Sequence, residues 1–339
     1  MKKSLVRGAI ALFAAAALSA YAQVEKPDVH IAVGGKASFY YLPLTIAEQL
    51  GYFKDEGLNI KISDFAGGAV ALRAVVGGSA DVVSGAYEHT ISLQSKKQFF
   101  QAFVAQGRLP QMAFGISTAK AGQVKSLKDL KGLKVGVSAP GSSTHNLVKQ
   151  LLTKGGLDPN KDVSVVGVGL GAQAYAAIKS GQIDAISNTD PVITKLEQDK
   201  AIRVIADTRT LKGTQEVWGA PLPAGCLYAP IEFVQKNPKT AQALTNAMVR
   251  ADKWIAKASA TDVAKVVPEA YLLGDRALYL FSYDKVKEAI SNDGIISDAG
   301  AKATLNALAA FDPAIKPAEI KLAQTYTNEF ARKANQKYK

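Results

Sequence analysis

Gly68-Ala69-Val70-Ala71-Leu72-Arg73-Ala74-Val75-Val76-Gly77-Gly78-Ser79-Ala80-Asp81 aligns without a gap on Gly171-Ala172-Gln173-Ala174-Tyr175-Ala176-Ala177-Ile178-Lys179-Ser180-Gly181-Gln182-Ile183-Asp184. The offset is 103 positions, with identities at Gly68/Gly171, Ala69/Ala172, Ala71/Ala174, Gly78/Gly181 and Asp81/Asp184. An internal repeat constrains architecture before any local propensity does. Two glycine-rich helices can match by chance, so the flanks have to agree in type, and they do. Upstream of the first copy run a strand (Val29–Val33), a loop, a helix (Leu42–Leu50), Gly57 and a strand (Leu58–Ile62). Upstream of the second run Leu133–Val137, a loop, Thr144–Thr153, Gly155-Gly156 and Val163–Val166. Val82-Val83 and Ala185-Ile186 follow the two copies as short β-prone runs. The order β-α-β-α-β therefore occurs twice, which predicts an α/β fold of two lobes, each a mainly parallel sheet with helices on both faces.

Helix boundaries carry their own signals. Pro43 suits a first helical turn, where its missing N–H costs nothing, and Gly51 suits a left-handed helix end. Gly141-Ser142-Ser143-Thr144 sets hydroxyls before the apolar stripe Leu147, Val148, Leu151 and Leu152. Beyond residue 191, Arg203–Ala206 reads as a strand and Val217–Ala229 as a stretch rich in Pro and Gly. From Asn237 the chain is largely helical, with a first stripe of Ala241, Leu244, Met248, Ala251 and Ile255. The chain is expected to pass between lobes near Met112–Thr118 and back near Trp218–Tyr228. Residues 23–115 and 219–339 then form lobe 1, and residues 116–218 form lobe 2.

The N-terminus predicts export. Lys2, Lys3 and Arg7 precede the apolar run Ala9–Leu18 and an Ala20-Tyr21-Ala22 cleavage site, the layout of a secretory signal peptide over residues 1–22 with a mature start at Gln23. The apolar run is shorter than the roughly 20 residues a spanning helix needs. The single cysteine, Cys226, lies far from the cleavage site, so neither a lipid anchor nor a disulfide framework is expected, and a periplasmic location follows. The formal charge is +12; the leader holds three of the cations and no acid, leaving +9. The lysines are scattered, without a basic stripe interleaved with aromatics, so nucleic acid is not an expected partner.

Ligands of open α/β sheets sit outside the C-terminal ends of strands, near helix N-termini. Here those places are Ser38–Tyr41, Gly67–Ala69, Ser84–His89, Pro140–His145, Gly169–Ala172 and Asn188–Pro191. The candidate ligand-binding residues are Ser38, Tyr40, Tyr41, Gly68, Ala69, Tyr87, Glu88, Ser142, Ser143, Thr144, Asn188, Asp190 and Trp218. Ser142, Ser143 and Thr144 suit an anionic head group and equally suit plain helix capping. Tyr40, Tyr41, Tyr87 and Trp218 suit a ligand sandwich or ordinary packing. Glu88 and Asp190 suit a cationic or N–H donor group or a solvated loop. Enzyme motifs are lacking: there is no G-x-S-x-G, H-E-x-x-H or P-loop. His30, His89 and His145 have no metal spacing and read as surface or capping residues. Gly167-Val168-Gly169-Leu170-Gly171-Ala172 fits a dinucleotide fingerprint, but Asp184 starts the next strand instead of ending it. No cofactor or metal is expected.

Tyr41-Leu42-Pro43-Leu44, Ala47-Glu48, Gly51-Tyr52-Phe53-Lys54 and Glu56-Gly57-Leu58 resemble the opening of the nitrate/taurine/alkanesulfonate class of ABC substrate-binding proteins. Gly78–Val82, Leu127–Gly132, Gly141-Ser142, Gly181–Ala185 and Asn188–Pro191 continue the resemblance over about residues 28–300. It implies a type II periplasmic-binding-protein fold, a monomer that closes on a small ligand and docks on an inner-membrane permease and its ATPase. It leaves nitrate, taurine, sulfonates and thiamine-precursor pyrimidines open as ligands. The candidate loops hold no arginine, which disfavours a guanidinium-bound sulfonate. Thiamine-pyrimidine synthases share this fold but carry a cysteine-rich motif, and porphobilinogen deaminases have related lobes and one cofactor-bearing cysteine. A binding protein that serves a sensor is a further alternative.

Overall fold

The computed structural model describes residues 24–339. The signal peptide expected over 1–22 and the start at Gln23 lie outside the described residues. The first half runs β1 (Asp28–Val33), α1 (Leu42–Gln49), β2 (Asn59–Asp64), α2 (Gly68–Val76), β3 (Val82–Ala86), α3 (Glu88–Gln94) and β4 (Phe100–Ala105). The second runs β5 (Met112–Ser117), β6 (Lys134–Val137), α4 (Ser143–Lys154), β7 (Ser164–Gly167), α5 (Ala172–Lys179), β8 (Ala185–Thr189), α6 (Val192–Gln198), β9 (Ile202–Asp207) and α7 (Leu211–Trp218). Then come β10 (Gly225–Pro230), α8 (Pro238–Lys257), α9 (Arg276–Val286), α10 (Asp298–Phe311) and α11 (Glu329–Lys337), with shorter helical turns between.

The strands form two five-stranded sheets of equivalent order, β2-β1-β3-β10-β4 and β7-β6-β8-β5-β9. β1 pairs in parallel with β2 and β3, bringing Ile31 opposite Ile62 and Val82. β6 likewise pairs with β7 and β8. In each sheet the fourth strand is antiparallel and comes from the opposite side of a crossing. β10 returns from the second sheet to run between β3 and β4, and β5 enters the second sheet between β8 and β9. The two α/β sheets are those expected from the repeat, and their arrangement is the periplasmic-binding-protein fold that the resemblance implies.

The repeated aspartates explain part of the repeat. Asp81 Oδ2 accepts the His30 N–H at 2.9 Å, and Asp184 Oδ2 accepts the Lys134 N–H at 2.9 Å. Each aspartate also gives its own N–H to the same residue's carbonyl, at 2.8 Å in both copies. Each carboxylate therefore ties the loop after a repeat helix to the early part of the first strand of its half, β1 or β6. The preceding glycines, Gly78 and Gly181, have φ of 77° and 72°, a left-handed region that only glycine enters without strain.

The stripe Ala241, Leu244, Met248, Ala251 and Ile255 of α8 is buried against the first sheet. α10 packs on the second face of that sheet, where Leu305 and Leu308 meet Tyr228 and Ile91. Among the described residues no helix is long and apolar enough to cross a membrane.

Two features depart from the sequence reading. β5 starts at Met112 and is hydrogen-bonded along its length in the second sheet, so the crossing precedes Met112. β10 runs through a stretch read only as Pro- and Gly-rich. It is buried between two neighbours, so it lacks the polar–apolar alternation that marks a half-exposed strand.

Candidate functional site

The C-terminal ends of both sheets face one another, and the helices that start there meet across the seam. The α2 N-terminus opens at Gly67-Gly68 because a β-carbon on Gly67 would lie 3.0 Å from Ala139 Cβ and 3.1 Å from its backbone nitrogen, closer than side chains pack. That approach lets the Ala69 N–H donate to Ser142 Oγ at 2.9 Å. Ser142 therefore caps nothing in its own helix α4; its hydroxyl satisfies a free N–H of the opposing helix. Thr144 Oγ1 accepts from Ser138 N–H at 3.0 Å and shares a bond with Ser138 Oγ at 2.8 Å, fixing the turn into α4. Of the three hydroxyls, Ser143 is left to the space between the lobes.

That space is a cavity of about 20 Å³, room for about one water. Tyr40, Tyr41 and Gly68 line it from the first side, and Ser142, Ser143 and Thr144 from the second. Met112, Ser138, Leu170 and Thr189 complete it. Thr189 Oγ1 and Ser38 Oγ share a 2.7 Å bond across the seam, and Ser38 Oγ also accepts the Tyr40 N–H at 3.1 Å. Tyr40 and Tyr41 stack edge to face with centroids 5.0 Å apart. The Tyr40 hydroxyl is buried and makes no hydrogen bond of regular geometry; burial, then the Glu88 charge, push its pKa well up, and the neighbouring Ser143 hydroxyl pulls it back. Glu88, outside the cavity lining, accepts from Asn146 Nδ2 at 2.8 Å. Burial raises its carboxyl, opposed by Asn146 and Ser143. Two helix N-termini, each equivalent to about half a positive charge, thus meet at a small site lined by a phenol and serine hydroxyls. Such a site suits an anion or a polar acceptor group.

Other candidates lie elsewhere. Tyr87 is fully buried in the core, its hydroxyl bonded to Thr325 Oγ1 at 2.7 Å. Asn188 buttresses its own lobe, donating to the Gly169 carbonyl at 3.0 Å and accepting from Thr189 N–H. Trp218 packs at the rim of two hydrophobic clusters, one from each sheet, and does not line the cavity. Asp190 is not a solvated loop carboxylate: it is buried, accepts the Thr194 N–H at 2.8 Å and pairs with Arg209 at 3.2 Å. Burial pushes the Asp190 carboxyl up, and Arg209 and Thr194 pull it back. Arg209, outside the candidate loops, also binds Asp207 at 2.6 Å and Glu197 at 2.9 Å. Sequence gave no signal for this pairing, because the partners come from three separate segments. The network holds the 190 loop, whose carbonyl accepts Phe39 N–H from the other lobe at 3.2 Å.

His89 is buried, contrary to the surface reading. Its Nδ1 shares a 2.8 Å bond with Tyr228, Nε2 has no partner, and burial lowers its pKa to about 4. His145 does cap, its Nδ1 accepting from Gly141 N–H at 3.0 Å. Cys226 is buried in β10 with its thiol pushed well up by burial, the reverse of an activated nucleophile. Among the described residues no group of three or more His, Cys, Asp or Glu side chains is arranged to hold a metal ion.

Paired α/β sheets whose helix N-termini meet at a small polar cavity are the architecture of the periplasmic-binding-protein fold. The chain belongs to the NMT1-like family, whose model matches residues 22–268. It is 58% identical to a protein of solved structure from Bordetella bronchiseptica RB50, with 93% of this chain and 99% of that one covered and a TM-score of 0.92. The fold is also that of the alkanesulfonate-binding protein SsuA from Xanthomonas axonopodis pv. citri bound to MOPS. That chain is 19% identical, with 90% and 100% covered and a TM-score of 0.68. The periplasmic nitrate-binding protein NrtA from Synechocystis PCC 6803 is 16% identical, with 93% and 90% covered and a TM-score of 0.70. Among curated relatives, the nitrate import ATP-binding protein NrtC of Synechococcus elongatus is 26% identical over 69% of this chain and 37% of its own length. A 4-amino-5-hydroxymethyl-2-methylpyrimidine phosphate synthase of Schizosaccharomyces pombe is 27% identical over 44% of this chain and 41% of its own length.

Proposed function

We propose that this protein is a non-enzymatic, periplasmic solute-binding receptor of an ABC importer, exported by residues 1–22, that captures a small anion or nitrogen-bearing compound of the nitrate, taurine or sulfonate class. Lobe 1 ends ahead of Met112 and resumes at residue 219, and lobe 2 runs from Met112 to residue 218, because β5 pairs from its first residue in the second sheet. The observation that carries the reading is the meeting of the α2 and α4 N-termini across the lobes, next to the unpartnered Tyr40 hydroxyl. A cavity of about 20 Å³ admits an oxyanion only if the lobes separate and re-close, so binding works as a population shift toward the closed form. Tyr40, Tyr41, Gly68, Ala69, Ser142, Ser143 and Glu88 contact the ligand or shape its site. Ser38 and Thr144 hold the walls, and Asp190, Asn188, Tyr87 and Trp218 act through packing. The closed form docks as a monomer on a permease and its ATPase, in keeping with the relationship to NrtC.

The experiment is a thermal-shift panel of nitrate, bicarbonate, taurine, alkyl and aryl sulfonates, aromatic carboxylates, pyrimidines and flavins. A ligand at 100 times its dissociation constant stabilises by about 2.7 kcal/mol, roughly 4 °C for a chain of this size. A hit among the oxyanions, lost in Ser143→Ala, supports the assignment. Shifts confined to pyrimidines, or none across the panel, overturn the anion class. The synthase alternative lacks its cysteine-rich motif in this chain.

A further inference from the structure

Beside the cavity, and separated from it by the Ala69–Ser142 bond, the two lobes form a larger groove of about 400 Å³. The first lobe contributes Arg73 from α2 and His89 and Lys96 from α3 and the turn after it; the second contributes Gly141 and Lys149. Arg73, Lys96 and Lys149 have no ion-pair partner among the described residues. Lys149 leans over the Phe311 ring at 6.0 Å. Among the described residues of the wall the one acid is Asp312, whose carboxylate accepts the Ala314 N–H at 3.0 Å, while Glu88 is held by the wall residue Asn146 at 2.8 Å. Three cations thus face one carboxylate around a space about twenty times that of the cavity.

A second, independent observation points the same way. His89 is 4% exposed and lines this groove. Its Nδ1 is engaged by Tyr228 in the core, while Nε2 has no hydrogen-bond partner. In the tautomer whose Nδ1 accepts from the Tyr228 hydroxyl, Nε2 carries the proton and is a donor, with the Gly141 backbone beside it at the groove. A buried polar atom without a partner is uncommon and costs stability, and a ligand in the groove offers it an acceptor.

We propose that this groove is a second ligand site, distinct from the cleft cavity, that takes a small multiply charged oxyanion of the phosphate type and clamps the two lobes together. Arg73 and Lys96 hold it from lobe 1, Lys149 from lobe 2, and His89 Nε2 donates from the floor. Because the contacts come from both lobes, the anion binds the closed arrangement better than the open one. By linkage it then favours closure and raises affinity at the cleft.

The test uses the protein with inorganic phosphate as the probe, against sodium chloride at matched ionic strength and pH 8. Phosphate at 20 mM is expected to raise the melting temperature by about 1–3 °C over chloride and to lower the radius of gyration in X-ray scattering. The double variant Arg73→Gln/Lys149→Gln, which breaks no ion pair, is expected to melt normally in chloride and to lose the phosphate shift. Ser143→Ala in the cleft is expected to keep it. Equal effects of phosphate and chloride, or a shift that survives in the double variant, overturn the proposal. A shift lost in Ser143→Ala but kept in Arg73→Gln/Lys149→Gln would place phosphate in the cleft and also overturn it.

Discussion

Arg209→Met removes the charge that neutralises Asp190. The Asp190 side chain is 0% exposed and Arg209 3% exposed, so the carboxylate left behind has no access to water. Breaking such a pair by deleting one partner costs about 3–5 kcal/mol, because it strands a buried charge. The other two partners, Glu197 at 26% and Asp207 at 39% exposure, reach solvent, and their loss adds about 0–1 kcal/mol each. With an unfolding entropy near 2.1 cal/mol/K per residue, a loss of about 4 kcal/mol lowers the melting temperature by roughly 6 °C. Asp190→Asn in the Arg209→Met background replaces the stranded charge with a neutral amide and is expected to recover about 2–3 kcal/mol of it. Urea unfolding followed by far-UV circular dichroism, on the wild type, both single variants and the double, closes the cycle. Lys195→Gln, which breaks the exposed pair with Asp199 at 2.8 Å, serves as the control, with an effect near 0.5 kcal/mol. If Arg209→Met costs no more than Lys195→Gln, or Asp190→Asn does not rescue it, the buried-charge reasoning is wrong.

Tyr40→Phe removes an unpartnered buried hydroxyl. It should raise ligand-free stability by about 1 kcal/mol and weaken an anionic cleft ligand by about 1.5–3 kcal/mol, a 10- to 150-fold rise in dissociation constant by titration; a variant that loses stability and keeps affinity contradicts this. Asp252, fully buried in α8 with both carboxylate oxygens unpaired, has its pKa pushed well up by burial. Its proton is bound more tightly in the folded state, so stability is lost as pH rises above the unfolded pKa near 3.8, and Asp252→Asn should flatten that loss and melt higher than wild type at pH 8. His89 works with the opposite sign. Its folded pKa of about 4 lies below the unfolded value of about 6.5, so stability is full above pH 6.5 and falls by about 3 kcal/mol on acidification to pH 4. His89→Gln should remove that acid limb in pH-dependent melts, and an unchanged slope would place the histidine in water.

The sequence alone determined the two-lobed α/β architecture. Its evidence was local and repeated: Gly78 and Gly181 turn because only glycine takes that φ cheaply, and Asp81 and Asp184 tie the first strand of each half. It also placed the helix N-termini at Gly68 and Ser142, which the structure brings together between the lobes, since both follow from strand-loop-helix order. Roles within the cleft were decided by tertiary structure. Ser142 looks like a helix cap until the lobes meet and Ala69 N–H takes its hydroxyl. Asp190 looks free until Arg209, nineteen positions away and on another segment, fills the space beside it. Tyr87 and Trp218 carry aromatic surface that sequence cannot aim, and here the core and the lobe rim claimed it. Met112, Ser138, Leu170 and Thr189 joined the cavity through strand pairing and chain crossing. Periodicity and capping are written in neighbouring residues. A site built between two lobes depends on how distant segments fill a common volume, and that is settled only when the chain has folded.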